Sequence, residues 1–368
     1  MPIRALVADD SVLFRHVISE ALSSFPEVEV VGAAANGKQA VQKVKELKPD
    51  LLTLDLEMPE MDGLAVLDAL RQCGEDTMVI VVSALTSRGG RLTMQALEKG
   101  ALDFITKPET RGSKESRAAI VKELADRLPA LANRRAIRQL LRQPREHIRP
   151  AVPPELKKPV DLGRTVAAMK RLASARKPEI ILIGVSTGGP NALGQLLPAI
   201  PGNIGVPILL VQHMPPIFTK SLAESLSAKC QLRVCEASHQ EPVLPNTVYI
   251  APGGKQMRLA PGNGGSKIIE ITDDPPENNC KPAVDYLFRS VANKFQMGAV
   301  AAILTGMGSD GTLGLRLLKR NGCHIIAQDE GSCVVFGMPK VAIEAGVVDT
   351  VLPLDAIASR IVSLVRGG

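Results

Sequence analysis

The chain has 368 residues, 45% hydrophobic and 22% charged, which is the composition of a globular protein with two domains. Aromatic residues make up only 2%, which disfavours the base-stacking surfaces of proteins that bind single-stranded nucleic acid. The net charge of +6 is unevenly placed, because residues 1–110 hold 11 basic and 17 acidic side chains, whereas residues 111–178 hold 18 and 6. The sequence therefore divides into an acidic block, a basic connector and a neutral block.

The sequence offers no membrane or export signal. No run approaches the roughly 18 apolar residues of a membrane-spanning helix, and Asp9 and Asp10 interrupt the start before a signal-peptide core could form. Six cysteines show neither a C-x-x-C pair nor a histidine at metal-ligand spacing, so we expect reduced, mostly buried thiols. These features predict a cytoplasmic protein without direct membrane insertion.

Residues 1–128 alternate short apolar strands with amphipathic helices and predict a five-stranded, doubly wound parallel α/β sheet of the flavodoxin-like kind. A last helix is predicted over residues 114–128. Residues 129–178 are rich in Arg, Lys and Pro and predict a basic linker. The predicted strands of the first block are Arg4–Ala8, Val28–Ala33, Leu51–Leu54, Met78–Val82 and Asp103–Ile105.

Residues 179–368 repeat the strand-and-helix alternation and predict a second doubly wound α/β domain, which we expect to be catalytic. Its predicted strands are Ile180–Val185, Pro207–Val211, Val248–Ile250, Lys267–Ile271, Gly298–Leu304 and His324–Ala327. Its predicted helices are Asn191–Ala199, Ile217–Ser227, Ala283–Asn293, Thr312–Arg320 and Pro339–Ala345.

Carboxylates gather at two strand ends of the acidic block. Asp9 and Asp10 follow the first strand and Asp55 follows the third, and neighbouring parallel strands would bring them together. Crowded carboxylates need a cation, and an all-oxygen ligand set favours Mg²⁺. Ser83 ends the fourth strand and Lys107 follows the fifth, where they would bind phosphoryl oxygens while the Asp55 carboxylate acts as nucleophile. Taken singly, Asp10 or its neighbouring serine could instead cap the first helix.

The ordering of these residues resembles the response-regulator receiver domain over residues 1–125. The resemblance implies that a partner histidine kinase phosphorylates Asp55, that Ser83 shifts on phosphorylation, and that Glu57 donates a backbone carbonyl to Mg²⁺. The motifs that carry the resemblance are Asp9-Asp10, Asp55-Leu56-Glu57-Met58-Pro59 with Gly63, Ser83-Ala84 and Lys107-Pro108.

The neutral block contains a candidate serine hydrolase site. Ser186 lies in a G-x-S-x-G turn between a strand and a helix, although such a turn also serves as a phosphate-binding loop or a helix cap. His213 directly follows the next strand and is the best-placed candidate base. Asp310, in a second glycine-rich turn, would orient His213, unless it only caps the next helix. Backbone N–H groups of Thr187 and Met307 would form the oxyanion hole.

The order Ser, His, Asp differs from the Ser, Asp, His order of α/β-hydrolases. Residues 180–355 instead resemble the catalytic domain of the chemotaxis protein-glutamate methylesterase family, in which a receiver domain precedes the enzyme. The resemblance implies hydrolysis of glutamyl methyl esters and deamidation of glutamines on the cytoplasmic domains of methylated chemoreceptors, with no cofactor for the hydrolase step. Its motifs are Gly184–Pro190, Gln212–Pro216, Ala251-Pro252-Gly253, Pro282–Asp285, Thr305–Gly311 and Gly337-Met338-Pro339.

Two other function classes stay open at this point. Receivers often control DNA-binding outputs, but no helix-turn-helix pattern follows the receiver, and we expect no nucleic-acid partner. A catalytically silent docking module is the second alternative, and the presence of all three triad residue types argues against it. In the favoured interpretation, the unphosphorylated receiver covers the cleft around Ser186.

Overall fold

The structure is a computed structural model that describes residues 2–108, 113–125, 127–128, 177–295 and 298–367. Apart from its last two residues, the predicted basic linker over 129–178 lies outside the described residues. Within the described ranges, no helix combines the length and apolar character needed to cross a membrane.

The first sheet has five parallel strands in the order β2-β1-β3-β4-β5, which confirms the predicted doubly wound architecture. Its strands are Ile3–Ala8 (β1), Val28–Ala34 (β2), Leu51–Asp55 (β3), Met78–Ala84 (β4) and Asp103–Lys107 (β5). Its helices are Val12–Ser23 (α1), Gly37–Leu47 (α2), Gly63–Gln72 (α3), Ser87–Glu98 (α4) and Ser113–Ala125 (α5). Helix α1 is capped by Ser11, whose hydroxyl accepts from the Phe14 N–H, so Asp10 has no capping role.

The second sheet has seven parallel strands in the order β14-β13-β12-β6-β7-β9-β8. Its strands are Pro178–Val185 (β6), Ile208–Gln212 (β7), Arg233–Glu236 (β8), Thr247–Ile250 (β9), Gly298–Ile303 (β12), His324–Gln328 (β13) and Thr350–Leu352 (β14). The helices that accompany it are Gly189–Leu196 (α6), Phe218–Ser227 (α7), Val284–Lys294 (α8), Thr312–Arg320 (α9), Met338–Glu344 (α10) and Leu354–Arg366 (α11).

A separate antiparallel hairpin joins Gln256–Pro261 (β10) to Lys267–Thr272 (β11). The sequence predicts the strand at β11 but not its partner β10, and not the short strands β8 and β14. The hairpin packs against α8 through Leu259, whose backbone N–H donates to the Ser290 hydroxyl at 3.1 Å. This contact helps to fix the helix that begins beside the candidate site.

Both sheets change winding direction where their functional candidates lie. In the second sheet the chain runs outward from β6 through β7 to the β9 and β8 side, then returns to β12 on the other side of β6. In the first sheet the corresponding crevice lies between β1 and β3. Doubly wound sheets bind ligands at such switch points, outside the carboxyl ends of the strands.

The two domains pack against each other through helices α4 and α7. Glu98, at the end of α4, accepts a 2.6 Å hydrogen bond from Ser225 and forms a 2.6 Å ion pair with Lys229. Further along, the Asn191 side-chain amide donates to the Ala101 carbonyl at 3.1 Å. The receiver-like domain therefore rests on the face of the second domain that carries α6 and α7.

Candidate functional site

Ser186 lies in the tight turn between β6 and α6, at the switch point of the second sheet. Its N–H donates to the Thr305 carbonyl at 3.0 Å, which joins this turn to the one after β12. Gly306 makes the approach possible, because a Cβ there would lie 2.7 Å from the Ser186 Cβ. The turn continues into Gly188, whose φ of 76° is left-handed and favours glycine.

Gln212 fixes the relative positions of two candidate residues and was not predicted as a site residue. Its Nε2 donates to the Ser186 carbonyl at 2.9 Å and to the His213 carbonyl at 3.0 Å. Its position at the end of β7, inside the Gln212–Pro216 motif, could have identified it as a site residue from the sequence. The amide therefore couples the ends of β6 and β7.

His213 and Asp310 form a direct pair, with 2.8 Å between His213 Nε2 and Asp310 Oδ2. The other ring nitrogen, Nδ1, lies 3.6 Å from Cys280 Sγ. Burial lowers the pKa of His213, but the Asp310 hydrogen bond and the neighbouring thiol outweigh burial and raise that pKa to about 9. Among the described residues Ser186 lines the same cleft without a hydrogen bond to the imidazole.

Asp310 is buried and fully engaged by donors. Its oxygens accept from the backbone N–H groups of Val284 and Asp285 at 2.6 and 3.0 Å, in the first turn of α8. The Asn278 amide adds a third donor at 2.9 Å. Burial raises the pKa of Asp310, but His213 and these donors prevail and hold it below the ordinary value. The carboxylate therefore stays ionised against the imidazole.

Asp310 does not cap its own helix in the structure. Helix α9 begins after Gly311, and no side chain caps it. The Asp310 carboxylate instead reaches across to α8, whose N-terminal N–H groups favour an anion. Asn278, the missed partner of this carboxylate, lies in a loop whose sequence carries no catalytic signature.

Thr187 and Met307 line the same cleft of about 480 Å³ as Ser186 and His213. The Thr187 carbonyl accepts from the Thr305 hydroxyl at 2.9 Å, which fixes the orientation of the peptide that follows the serine turn. Met307 is partly exposed at the rim. Both candidate oxyanion residues thus flank the serine turn.

Residues of the first domain form one wall of this cleft, and they were not predicted as site residues. Asp103 and Phe104 of β5, with Glu123 and Arg127, line it opposite Ser186. Arg127 Nε donates to Asp103 Oδ2 at 3.1 Å, so the wall carries a partly buried ion pair. The cleft is therefore partly closed by the domain that holds the candidate phosphorylation site.

The candidate phosphorylation site lies at the carboxyl ends of β1, β3 and β5. Lys107 Nζ is 2.7 Å from Asp55 Oδ2 and 2.9 Å from Asp9 Oδ2. Asp9 and Asp55 are buried, whereas Asp10 is exposed beside them. The structure thus brings the three carboxylates and the lysine into one crevice, as their strand ends predict.

Ser83 and Glu57 lie at the edges of this crevice. The Ser83 hydroxyl is buried and donates to the Gly89 carbonyl in the first turn of α4, at 3.2 Å. The Glu57 N–H donates to Asp55 Oδ1 at 3.3 Å, and the Glu57 carboxylate pairs with Arg88 at 3.2 Å. Ser83 therefore links the crevice to the helix that contacts the second domain.

The crevice has the donor chemistry that suits Mg²⁺. Carboxylate oxygens of Asp9, Asp10 and Asp55 lie within 4.8 Å of one another. Burial raises the pKa of Asp9, and burial together with Asp9 raises the pKa of Asp55 to about 6 despite Lys107. A hard divalent cation would relieve this repulsion, so these residues fit Mg²⁺.

All six cysteines are free thiols in the described residues. The expectation that they are mostly buried was wrong: Cys323 is buried, Cys73 is exposed, and the other four are intermediate. The absence of linear metal-ligand spacing also missed Cys280, which the fold places beside His213 although 67 residues separate them.

Comparison with known proteins identifies both domains. Residues 181–361 match the CheB methylesterase family, and residues 5–118 match the response regulator receiver domain. A protein-glutamate methylesterase/protein-glutamine glutaminase of Desulfotalea psychrophila is 49% identical over 99% of each chain. Its namesake in Halalkalibacterium halodurans is 43% identical over 98% of this chain and 97% of its own.

A solved structure extends the likeness to three dimensions. The CheB methylesterase catalytic domain of Thermotoga maritima is 44% identical, with a TM-score of 0.50, and covers 51% of this chain and 98% of its own. Together with the full-length relatives, this places a receiver and a methylesterase domain in one chain. The chain belongs to the protein-glutamate methylesterase/protein-glutamine glutaminase family.

Proposed function

We propose that this protein is a phosphorylation-regulated serine hydrolase of sensory adaptation. It removes methyl groups from glutamyl methyl esters, and deamidates specific glutamines, on the cytoplasmic domains of chemoreceptors. The observation that carries the proposal is the 2.8 Å pair of His213 Nε2 and Asp310 Oδ2 in the cleft that Ser186 lines. The names of the full-length relatives support the choice of substrate.

The roles in acylation follow from which ring nitrogen is occupied. Asp310 accepts the Nε2–H hydrogen bond, so in the neutral imidazole the lone pair of His213 lies on Nδ1, and Nδ1 is the proton acceptor. The proton of the Ser186 hydroxyl passes to Nδ1 as the serine oxygen bonds to the ester carbonyl carbon. In the receiver-docked arrangement Nδ1 faces Cys280, so the nucleophile and the base must approach for this step.

Collapse of the tetrahedral intermediate breaks the bond to the leaving group, and Nδ1 gives its proton to the departing oxygen to form methanol, or to the departing nitrogen to form ammonia when the substrate is a glutamine. Water then repeats the sequence on the acyl-enzyme and regenerates Ser186. The N–H groups of Thr187 and Met307 stabilise the negative oxygen, and losing one such donor should cost about 10²–10³ in turnover.

Regulation starts at the receiver. A chemotaxis-type histidine kinase transfers phosphate to Asp55, with Asp9, Asp10, Asp55 and the Glu57 carbonyl as the residues that hold Mg²⁺. When bound, Mg²⁺ neutralises charge on the phosphoryl oxygens. Lys107 and Ser83 bind the phosphoryl group, and Ser83 gives up its hydrogen bond to the Gly89 carbonyl to do so.

The movement of Ser83 would be transmitted to the catalytic domain through helix α4. Its partner Gly89 lies in α4, and α4 packs against α7 beside the cleft. A change at α4 therefore weakens the contacts that keep Asp103 and Arg127 against the Ser186 cleft. A shift of a few kcal/mol between a docked and an undocked arrangement is enough to change the open population by orders of magnitude.

Substitution of Ser186 tests the hydrolase. Ser186→Ala should abolish methanol release from a methylated receptor while a folded far-ultraviolet dichroism spectrum is retained. An acyl-serine probe should label Ser186 in the wild-type protein only. Methanol release at the wild-type rate from Ser186→Ala would refute the serine mechanism.

Substitution of Asp55 tests the regulation separately. The readout is the ratio of methanol release with and without a small phosphodonor in the presence of Mg²⁺. Asp55→Asn should bring this ratio to one, whereas the wild-type ratio exceeds one. Stimulation that survives the substitution would show that Asp55 is not the switch.

A further inference from the structure

Cys280 lies against the proposed catalytic base, yet the hydrolase mechanism gives it no role. Its Sγ is 3.6 Å from His213 Nδ1, and His213 comes from the end of β7, far away in the sequence. Two reciprocal backbone hydrogen bonds fix the chain around the thiol. Cys280 N–H donates to the Glu277 carbonyl at 2.8 Å, and Glu277 N–H donates back to the Cys280 carbonyl at 3.1 Å.

The separation of these two atoms fits a tetrahedral metal site. Zinc lies about 2.0–2.1 Å from histidine nitrogen and about 2.3 Å from cysteine sulfur. At a tetrahedral angle these bond lengths place nitrogen and sulfur about 3.6 Å apart. The observed separation of Nδ1 and Sγ has this value, so a metal ion could bridge them without movement of the backbone.

The other side of the imidazole is also arranged as in metal sites. Metal-binding histidines almost always donate their second N–H to a carboxylate, a backbone carbonyl or water, and the Asp310 carboxylate occupies that position at 2.8 Å from Nε2. This partner leaves the lone pair on Nδ1, toward the thiol. The nearest cation in the sequence, Lys281, lines the same cleft, and its Nζ donates to the Asp273 carbonyl at 3.0 Å.

We propose that His213 Nδ1 and Cys280 Sγ bind a soft divalent cation of the Zn²⁺ type, with water from the cleft completing its coordination. Binding releases the thiol proton and, from the imidazolium form, the Nδ1 proton to solvent, and it forms a metal–thiolate and a metal–imidazole bond. The metal occupies the lone pair that must accept the Ser186 proton, so the bound form is an inactive hydrolase. This inhibition rests on the proposed function, whereas the binding does not.

Within the described residues a second cluster could hold a cation, and the two clusters differ in ligand type. Asp9, Asp10 and Asp55 offer only oxygen, which suits Mg²⁺, whereas His213 and Cys280 offer nitrogen and sulfur, which suit Zn²⁺ and Co²⁺. A sulfur-specific signal therefore separates the His213–Cys280 site from the carboxylate cluster, and cysteine variants separate it from the other thiols. Excess Mg²⁺ keeps the carboxylate cluster occupied during such a measurement.

Cobalt titration of the reduced full-length protein in excess Mg²⁺ tests the binding. A thiolate-to-cobalt charge-transfer band should grow to one equivalent and be displaced by Zn²⁺. The band should disappear in Cys280→Ala and persist in Cys73→Ala, which removes an exposed thiol elsewhere. In the wild-type protein, Zn²⁺ should also slow alkylation of Cys280, measured by mass spectrometry, which needs no variant to fold. No band, a band that survives Cys280→Ala, or unprotected alkylation would overturn the site.

Inhibition of methanol release by Zn²⁺ provides a second test. Zn²⁺ should inhibit methanol release by the wild-type protein, and the half-inhibiting concentration should rise at least tenfold in Cys280→Ala, each relative to its own zinc-free rate. A Cys280-dependent band without inhibition would overturn the inhibitory role. A wild-type protein that releases no methanol without zinc refutes the proposed function, while the cobalt band still decides the metal site.

Discussion

The ring of Phe104, on strand β5 of the receiver, stacks on Phe218 at the start of α7, with ring centroids 4.5 Å apart and planes at 28°. Both side chains are buried. Phe104 also lines the cleft that contains Ser186. One aromatic pair thus joins the receiver domain to the wall of the candidate active site.

Phe104→Ala should raise hydrolase activity without phosphodonor. Such a pair contributes about 0.5–1.5 kcal/mol beyond its buried area, so the loss of stacking alone should weaken docking by about 2- to 10-fold, and the loss of buried apolar area adds to this effect. Methanol release without phosphodonor should rise accordingly, and its stimulation ratio should fall. The matched control is Phe25→Ala, which removes a ring packed on the receiver core. Equal effects of both variants would attribute the change to receiver stability rather than docking.

The ion pair between Glu98 and Lys229 allows a charge-reversal test of the same interface. Glu98→Lys puts two ammonium groups together and should raise the unstimulated rate by up to about fivefold, since exposed pairs contribute about 1 kcal/mol or less. The double variant Glu98→Lys/Lys229→Glu restores opposite charges and should return the rate toward wild type. High salt should reduce the difference. Failure of the double variant to recover would contradict the role of this pair.

Gly306→Ala should impair turnover by distorting the serine turn. The added Cβ would lie 2.7 Å from the Ser186 Cβ and 2.6 Å from the Met338 sulfur, so the packed turns must separate. We expect at least tenfold slower methanol release and a free energy of unfolding lower by about 1–3 kcal/mol. Gly194→Ala in α6 is the control, because its Cβ meets nothing within 4 Å. Wild-type turnover in Gly306→Ala would show that the close approach is dispensable.

The rate should depend on pH through His213. Its pKa of about 9 means that imidazolium predominates at neutral pH, whereas the proposed base acts only when Nδ1 is unprotonated. The kcat/KM for a methylated receptor should therefore rise by about tenfold per unit below that pKa and level off above it. Rates of Ser186→Ala, subtracted at each pH, remove chemical ester hydrolysis. A plateau that begins near pH 6.5, the ordinary histidine value, would contradict this prediction.

Much of the fold could be predicted because each strand-turn-helix unit is encoded locally. Buried strands such as β6 and β12 are continuous apolar runs, and the glycine-rich turns after them mark Ser186 and Asp310. The short strand β14 has only three residues with partial exposure, so no apolar run announces it. Strand β10 is defined by its pairing with β11 rather than by its own pattern.

The sequence could not predict which distant segments of the chain come into contact. Asn278 and Cys280 reach His213 and Asp310 only because the loop before α8 folds over the end of β7. Asp103 and Arg127 reach the cleft only through domain packing. Local periodicity carries no information about either contact, whereas the strand-end positions of Asp9, Asp55 and Lys107 already follow from sheet topology.

The two ends of strand β5 contact different sites. Asp103, at its first residue, faces the hydrolase cleft, and Lys107, at its last, pairs with Asp55. Four residue steps along the strand separate Asp103 at the cleft from Lys107 at the candidate phosphorylation site by about 13 Å. The two sites therefore lie at opposite ends of β5. Under the proposed regulation, a kinase would therefore phosphorylate the docked protein without competing for the surface that covers the cleft. Phosphorylation and inhibition would then not exclude each other in time.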